Sequence, residues 1–226
     1  RDSSISIYRV HLAASNRNSD TIEEIEALAK KREVEICYHD KAALSRISKN
    51  GRQDQGVAID VESESYMDIS QRSQSTGDLI GLDNITNPQN LGMVIRSVAA
   101  SPMGGLLLPK KGCARIDPLV HKASAGNLFK ATIYHTTTLE KGLKFLKSAN
   151  FDLIALTGAA SGTSLLELPL HSDRRRIFLL GNESSGLRES IRRSCDIEAF
   201  IPMRNNVESI NVAAAATLVA FRGMIR

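Results

Sequence analysis

The sequence predicts an α/β protein: a small N-terminal α/β domain, then a larger domain built on a mainly parallel sheet. Three observations point there. From Leu79 onward, compact apolar runs alternate with helix-like segments, as buried parallel strands and their helical crossovers do. A polar, serine-rich stretch over 63–77 reads as a linker, giving domains at 1–62 and 78–226. Finally, 42% hydrophobic and 24% charged residues are ordinary for a globular chain, and no apolar run nears the ~20 residues that span a bilayer.

In the first domain, Ile5–Leu12 is a β-rich run. Asp20-Thr-Ile-Glu23 resembles a capping box, with Asp20 as the cap. Ile22, Ile25, Leu28 and Ala29 then recur at helical spacing. Val34–Tyr38 and Val57–Val61 read as short strands, with a helix near Lys41–Ile47 between them. In the second domain the predicted strands are Leu79–Leu82, Gly105–Leu108, Leu153–Leu156, Ile177–Leu180 and Ile197–Ile201. Helices are expected near Leu91–Ala100, Asp117–Ala123, Leu139–Ser148, Arg188–Arg193 and Ile210–Met224. Asp117-Pro118 suits a helix start, and the alanine- and valine-rich last helix should pack against the sheet.

Net charge is +4, but it is unevenly spread. Residues 1–78 carry 11 basic and 14 acidic side chains, whereas 79–226 carry 18 and 11. Within 105–150, Lys110, Lys111, Arg115, Lys122, Lys130, Lys141, Lys144 and Lys147 face only Asp117 and Glu140. Such a stretch can neutralise phosphates, although solvated helix faces also look like this. Cys37, Cys113 and Cys195 are odd in number and far apart, which argues against disulfides and for a reducing compartment. His11, His39, His121, His135 and His171 show no ligand spacing with those cysteines, so no metal site is expected. The chain opens on Arg1 rather than Met, as a chain trimmed of a targeting segment would.

Three motifs carry the functional reading. Asn87-Pro-Gln-Asn90-Leu-Gly92-Met-Val-Ile-Arg96 follows the first strand of the second domain. It offers backbone N–H groups and a side-chain amide at a helix N-terminus, a glycine for close approach, and an arginine within reach of a phosphate. Arg96, six residues past Asn90, need not leave the same helix face. Gly181-Asn182-Glu183-Ser-Ser-Gly186-Leu follows the strand Ile177–Leu180, at the strand end where open α/β sheets place ligands. It is neither a dinucleotide-binding fingerprint nor a P-loop. Ile201-Pro-Met203-Arg-Asn-Asn-Val-Glu-Ser209-Ile210-Asn211-Val leads into the last helix, where Ser209 and Asn211 fit capping positions. Alone, each motif has an ordinary structural explanation.

Together, in this order, they resemble the signature of SpoU-type methyltransferases of the SPOUT superfamily: N-P-x-N-x-G-x-x-x-R, G-x-E-x-x-G, then I-P-M…S-x-N-V. The resemblance covers Leu79–Arg226. Residues 1–62, ending near Gln55-Gly56-Val57, are similar to the ribosomal-protein-like RNA-binding domain that often precedes this catalytic domain. One departure stands out: Arg204-Asn205-Asn206 follows the I-P-M block where relatives often carry glycine.

The resemblance implies a trefoil-knotted α/β fold and an S-adenosylmethionine-dependent RNA ribose 2′-O-methyltransferase. By carry-over, the catalytic set is Arg96, Asn90, Glu183, Ser209 and Asn211. The cofactor set is Thr157, Gly158, Leu180, Gly181, Asn182, Gly186, Ile201, Met203, Ile210 and Asn211, with no metal. RNA is the implied partner, most readily a guanosine of large-subunit ribosomal RNA, with tRNA guanosine as the alternative. A homodimer, no membrane association, and a cytoplasmic or mitochondrial-matrix location go with it. Two competing readings are a catalytically silent RNA-binding or ribosome-assembly protein and a nicotinamide-dependent Rossmann enzyme. The second lacks its glycine fingerprint.

Overall fold

The computed structural model of the chain describes residues 5–16, 19–48, 51, 54–62, 66–71, 77–158, 162–170 and 172–224. The chain divides into two compact units, Arg1–Ser65 and Tyr66–Arg226.

The first unit holds β1 (Ile7–Ala13), α1 (Asp20–Lys31), β2 (Glu35–His39), α2 (Lys41–Ser48) and β3 (Val57–Val61). Its sheet is ordered β2-β1-β3, with β1 parallel to β2 and antiparallel to β3. Val10 and Leu12 point into a small core with Ile22 and Ala29 of α1. The α1 cap is Ser19, whose hydroxyl accepts from Ile22 N–H, not Asp20 as the sequence suggested. Asp20 instead begins the helix, where a carboxylate complements the N-terminal dipole.

The second unit is one eight-stranded, wholly parallel sheet. In chain order it contains β4 (Met67–Asp68), β5 (Leu79–Leu82), α3 (Pro88–Ala99), β6 (Gly105–Pro109), α4 (Pro118–Ala123), β7 (Ile133–Thr136) and α5 (Leu139–Ser148). Then come β8 (Phe151–Thr157), β9 (Thr163–Ser164), β10 (Arg175–Leu180), α6 (Glu189–Arg192), β11 (Ile197–Phe200) and α7 (Val212–Phe221). The spatial order is β4-β7-β6-β5-β10-β8-β11-β9. Strand β10 is therefore inserted between β5 and β8, pairing Ile177 with Leu79 on one side and Leu153 on the other.

The strands β5 and β6 are buried at every position, because helices cover both faces. Alternate residues divide between two cores. Ile80, Leu106, Ile154 and Phe178 pack with α3, α4 and α7, while Leu79, Leu107, Leu153 and Ile177 pack with α5 and α6. The last helix, shorter than expected, packs on α3 and β10. No helix among the described residues is long and apolar enough to cross a membrane.

Other features of the second unit also differ from the sequence reading. Residues 66–71 of the presumed linker belong to the second unit, because Met67 and Asp68 pair with Tyr134 and His135 at the sheet edge, Ile69 is buried, and Tyr66 stacks on His135; 63–65 and 72–76 lie outside the described residues. Two ladder residues within a polar run leave no periodicity to detect. Strand β7, Ile133-Tyr-His-Thr136, also escaped notice, since a four-residue run with two polar members has no clear alternation.

Gly92 sets the α3–α4 distance. A Cβ there would overlap the Ala123 methyl and come 2.8 Å from the Val120 carbonyl oxygen. The close approach expected of this glycine is thus to a helix backbone. Gly92→Val should lower stability by about 1–3 kcal/mol, read as a lower denaturation midpoint at unchanged m-value.

Candidate active site

Because all strands of the large sheet run parallel, the loops leaving β5, β8, β10 and β11 emerge on one side. A cavity of about 440 Å³ opens there, within the range of small-molecule sites. It lies at the carboxyl ends of β8, β10 and β11, beside the point where the strand order reverses, as expected for an open parallel sheet.

The residues predicted to hold a cofactor converge on it. Thr157, Gly158, Leu180, Gly181, Asn182, Gly186, Ile201, Met203 and Ile210 line the cavity, together with Glu183 and Ser209 from the catalytic set. Asn211, placed in both sets, is not in the wall. Leu156, Glu208, Val212 and Ala215 also line it and had not been singled out. Leu156 and Val212 are the apolar neighbours of assigned residues, so proximity in sequence was the signal.

Each loop is shaped by backbone constraints. The loop after β10 closes on itself through Asn182 N–H to the Gly186 carbonyl (3.1 Å) and Gly186 N–H to the Asn182 carbonyl (2.8 Å). A Cβ at Gly181 would overlap the Gly186 carbonyl group, so that position requires glycine, and Gly186 takes φ +67°, a left-handed conformation that favours it. After β11, Asn205 and Asn206 both adopt φ +56°, and Val207 N–H closes the turn onto the Arg204 carbonyl at 3.2 Å. Asparagine enters this left-handed region more readily than other side chains. The missing glycine is accommodated by the residue type best able to replace it.

Side chains then tie the loops together. Asn87 caps α3, its Oδ1 accepting from Gln89 N–H at 2.8 Å, with Pro88 in the first turn. One turn on, buried Asn90 donates its Nδ2 to Glu183 Oε1 and accepts at Oδ1 from Asn211 Nδ2 (3.1 Å). Asn211 in turn caps α7, its Oδ1 accepting from Ala213 N–H at 2.8 Å. Ser209, read from the sequence both as a capping candidate and as a member of the catalytic set, lines the cavity. Asn182 donates to the Asn84 carbonyl at 3.2 Å. The three motifs thus meet through side-chain amides.

Sequence reasoning missed a further clamp. Asp83, 1% exposed, accepts from Arg188 N–H (2.9 Å) and Arg188 Nε (2.8 Å), and Arg188 also pairs with Glu140 at 2.8 Å. Hydrogen bonding to Asp83 raises the Arg188 guanidinium above its ordinary value. The only sequence signal was an acidic residue directly after an apolar strand.

Arg96 stands apart. Six residues of α-helix turn the side chain about 120° from that of Asn90 and about 9 Å along the axis, so the two do not share a face. Arg96 is exposed, does not line the cavity, and makes no side-chain hydrogen bond or ion pair among the described residues. Two of the thiols are held in their protonated form: burial raises Cys113, and burial pushes Cys195 up to about 12. All three cysteines are free.

The turn after β11 provides a direct test of the loop geometry. Replacing Asn205 and Asn206 by glycine should leave stability nearly unchanged. Replacing both by alanine should cost about 1–2 kcal/mol per residue, measured by chemical denaturation.

Comparison with known proteins places the chain. Residues 79–221 match the SpoU rRNA Methylase family, and residues 2–67 match the family described as RNA 2′-O ribose methyltransferase substrate binding. The chain is 30% identical over 224 residues to a 23S rRNA (guanosine-2′-O-)-methyltransferase, RlmB, of Xylella fastidiosa, covering 96% of this chain and 88% of that one. It is 31% identical over 192 residues to an uncharacterized tRNA/rRNA methyltransferase of Mycolicibacterium vanbaalenii, covering 82% of this chain but only 59% of that relative. The fold matches the AdoMet-bound crystal structure of the SpoU methyltransferase AviRb from Streptomyces viridochromogenes with a TM-score of 0.78 at 20% identity, over 97% of this chain and 82% of that one. The chain therefore belongs to the SpoU rRNA methylase family, and its N-terminal segment to the family of RNA 2′-O ribose methyltransferase substrate-binding domains.

Proposed function

We propose that this RNA ribose 2′-O-methyltransferase holds S-adenosylmethionine in the cavity at the ends of β8, β10 and β11, and that its target is a guanosine of large-subunit ribosomal RNA. The observation that carries this reading is the cavity itself, closed by three motif loops joined through Asn90. Its walls suit the cofactor. Leu156, Leu180, Ile201 and Ile210 offer apolar surface for an adenine. The Glu183 and Glu208 carboxylates complement a sulfonium charge. Gly158 leaves open the space that a Cβ would fill, 3.2 Å from the Glu208 carbonyl oxygen. When bound, the cofactor supplies a methyl group already activated by positive charge.

The protein's remaining tasks are to orient a ribose 2′-OH and remove its proton. Arg96 is a poor general base, because the guanidinium is a cation with donors and no acceptor. Its role is to hold the target phosphate and stabilise the developing alkoxide, the proton leaving through that phosphate or a water. Ser209, at the cavity wall, orients the ribose. Asn90, with both its donor and its acceptor engaged by Glu183 and Asn211, is a positioning residue.

Arg96 outside its own chain's cavity wall supports a homodimer in which it serves the partner's site. On the neighbouring helices α3 and α7, Met93 (49% exposed) and Leu218 (43% exposed) present apolar surface, and Ser97 bonds Thr217 between them at 2.7 Å. The large-subunit target draws on the substrate-binding match and on the name of the Xylella relative. Exposed Lys110, Lys111 and Arg115 offer phosphate contacts, and the ribose of a loop nucleotide is more accessible than one in a duplex. The Mycolicibacterium relative's name keeps tRNA as the second target.

Arg96→Ala should retain cofactor binding by calorimetry and lose methyl transfer to RNA; full activity would remove Arg96 from the mechanism. Leu218→Glu should convert a dimer to monomer in analytical ultracentrifugation, with loss of activity. Mapping 2′-O-methylated nucleotides in RNA from cells lacking the protein should show one large-subunit guanosine unmodified. An unmodified tRNA nucleotide would select the second target, and no change at all would favour a silent RNA-binding protein.

A further inference from the structure

The first unit places two histidines and a cysteine together, although they are scattered in sequence. Strands β1 and β2 are parallel with His11 opposite Cys37 and Ala13 opposite His39. Residues 37 and 39 share one face of β2, and His11 meets them from the adjacent strand. One donor atom from each of His11, Cys37 and His39 lies within 4.8 Å of the other two. We propose that these three side chains form a binding site for a zinc-type divalent cation, with Asp60 holding His11 in its liganding orientation.

The details fit that chemistry. His11 is 6% exposed and sits on the central strand of the sheet. Its Nε2 lies 3.1 Å from Asp60 Oδ2 on β3, and its Nδ1 lies 2.9 Å from His39 Nε2. A carboxylate on one ring nitrogen fixes the tautomer and leaves the other nitrogen's lone pair for a metal, the usual outer-shell arrangement of zinc-bound histidine. Tetrahedral zinc with bonds of ~2.0–2.3 Å places its donors about 3.3–3.7 Å apart. The two imidazoles therefore open by a few tenths of an ångström and the thiol, within 4.8 Å of both, swings toward them by side-chain rotation. Cys37 Sγ donates to Glu35 Oε1 at 3.5 Å, while the other carboxylate oxygen, Oε2, is held by Arg9 at 2.7 Å. Imidazole and thiolate favour zinc, cobalt and similar ions over magnesium or calcium. On binding, the Cys37 S–H bond breaks, its proton goes to solvent and a sulfur–metal bond forms; the fourth position is open to water.

A hydrogen-bonded His–His–Asp row would by itself account for three of these four groups. Cys37 is what a metal adds, and it makes the two explanations separable. The cation would staple β1 to β2 in a unit whose core cluster among the described residues is small, with Val10, Leu12, Ile22 and Ala29 at its centre and Ala13 and Leu44 also buried, and small cores gain most from such a staple.

The test is a titration of the full, reduced chain with Co²⁺, followed by Zn²⁺. One equivalent of Co²⁺ should produce a thiolate-to-cobalt charge-transfer absorption and the visible bands of a tetrahedral site, all erased by stoichiometric Zn²⁺. Cys37→Ser should abolish the charge-transfer band, and His39→Asn should abolish stoichiometric binding. Asp60→Asn should weaken binding by about 10–100-fold. Circular dichroism verifies that each variant is folded. Cys113 and Cys195 remain in every sample, so a band that survives Cys37→Ser overturns the proposal. So does a folded parent chain that gives no band.

Discussion

The carboxamide of Asn90 is the constraint around which the site is assembled. It has one donor group and one acceptor, and each faces a different loop: Nδ2 toward Glu183, 93 residues away in sequence, and Oδ1 toward Asn211, 121 residues away. Hydrogen bonds involving a charged partner are worth roughly 1.5–3 kcal/mol net, and a buried amide left without partners costs a similar amount. The loops after β5, β10 and β11 are thus held in a single arrangement. The orientation follows from the cap one turn earlier, since Asn87 and Pro88 fix where α3 begins and therefore where Asn90 points.

That meeting is possible because of the sheet's strand order. With β10 beside β5 and β11 separated from β10 only by β8, the loops leaving these three strands can meet although the chain visits the strands far apart in sequence. Asp83 and Arg188 reinforce the β5–β10 pairing just beyond the last ladder residues, where Asp83 N–H still bonds the Leu180 carbonyl at 2.9 Å. Backbone conformation completes the cavity. Gly181 must pass against Gly186, and Asn205-Asn206 must turn through left-handed φ values.

Much of this architecture was legible in the sequence. Strands such as Leu79–Leu82 and Ile177–Leu180 were recognisable from their apolar runs, and α1 from the helical spacing of Ile22, Ile25, Leu28 and Ala29. Nine of the ten residues that the family resemblance assigned to the cofactor line one cavity, because the ordered motifs that carry the resemblance mark loops at one end of the sheet. Short elements were not legible. Strand β4 exists only because β7 offers it a ladder edge, and a capping hydroxyl at Ser19 competes with an adjacent aspartate that looks equally suitable.

By itself, then, the sequence determined the α/β class, the two-part organisation and the three motifs, since periodicity and turn residues are local properties of the chain. Only the tertiary structure decided which side chains meet. It placed Asn90 between Glu183 and Asn211, turned Arg96 away from their cavity, hid Asp83 beneath Arg188, and brought His11 beside Cys37 and His39. The physical reason is register: parallel pairing and strand insertion decide contacts between residues tens of positions apart, and no local pattern encodes them.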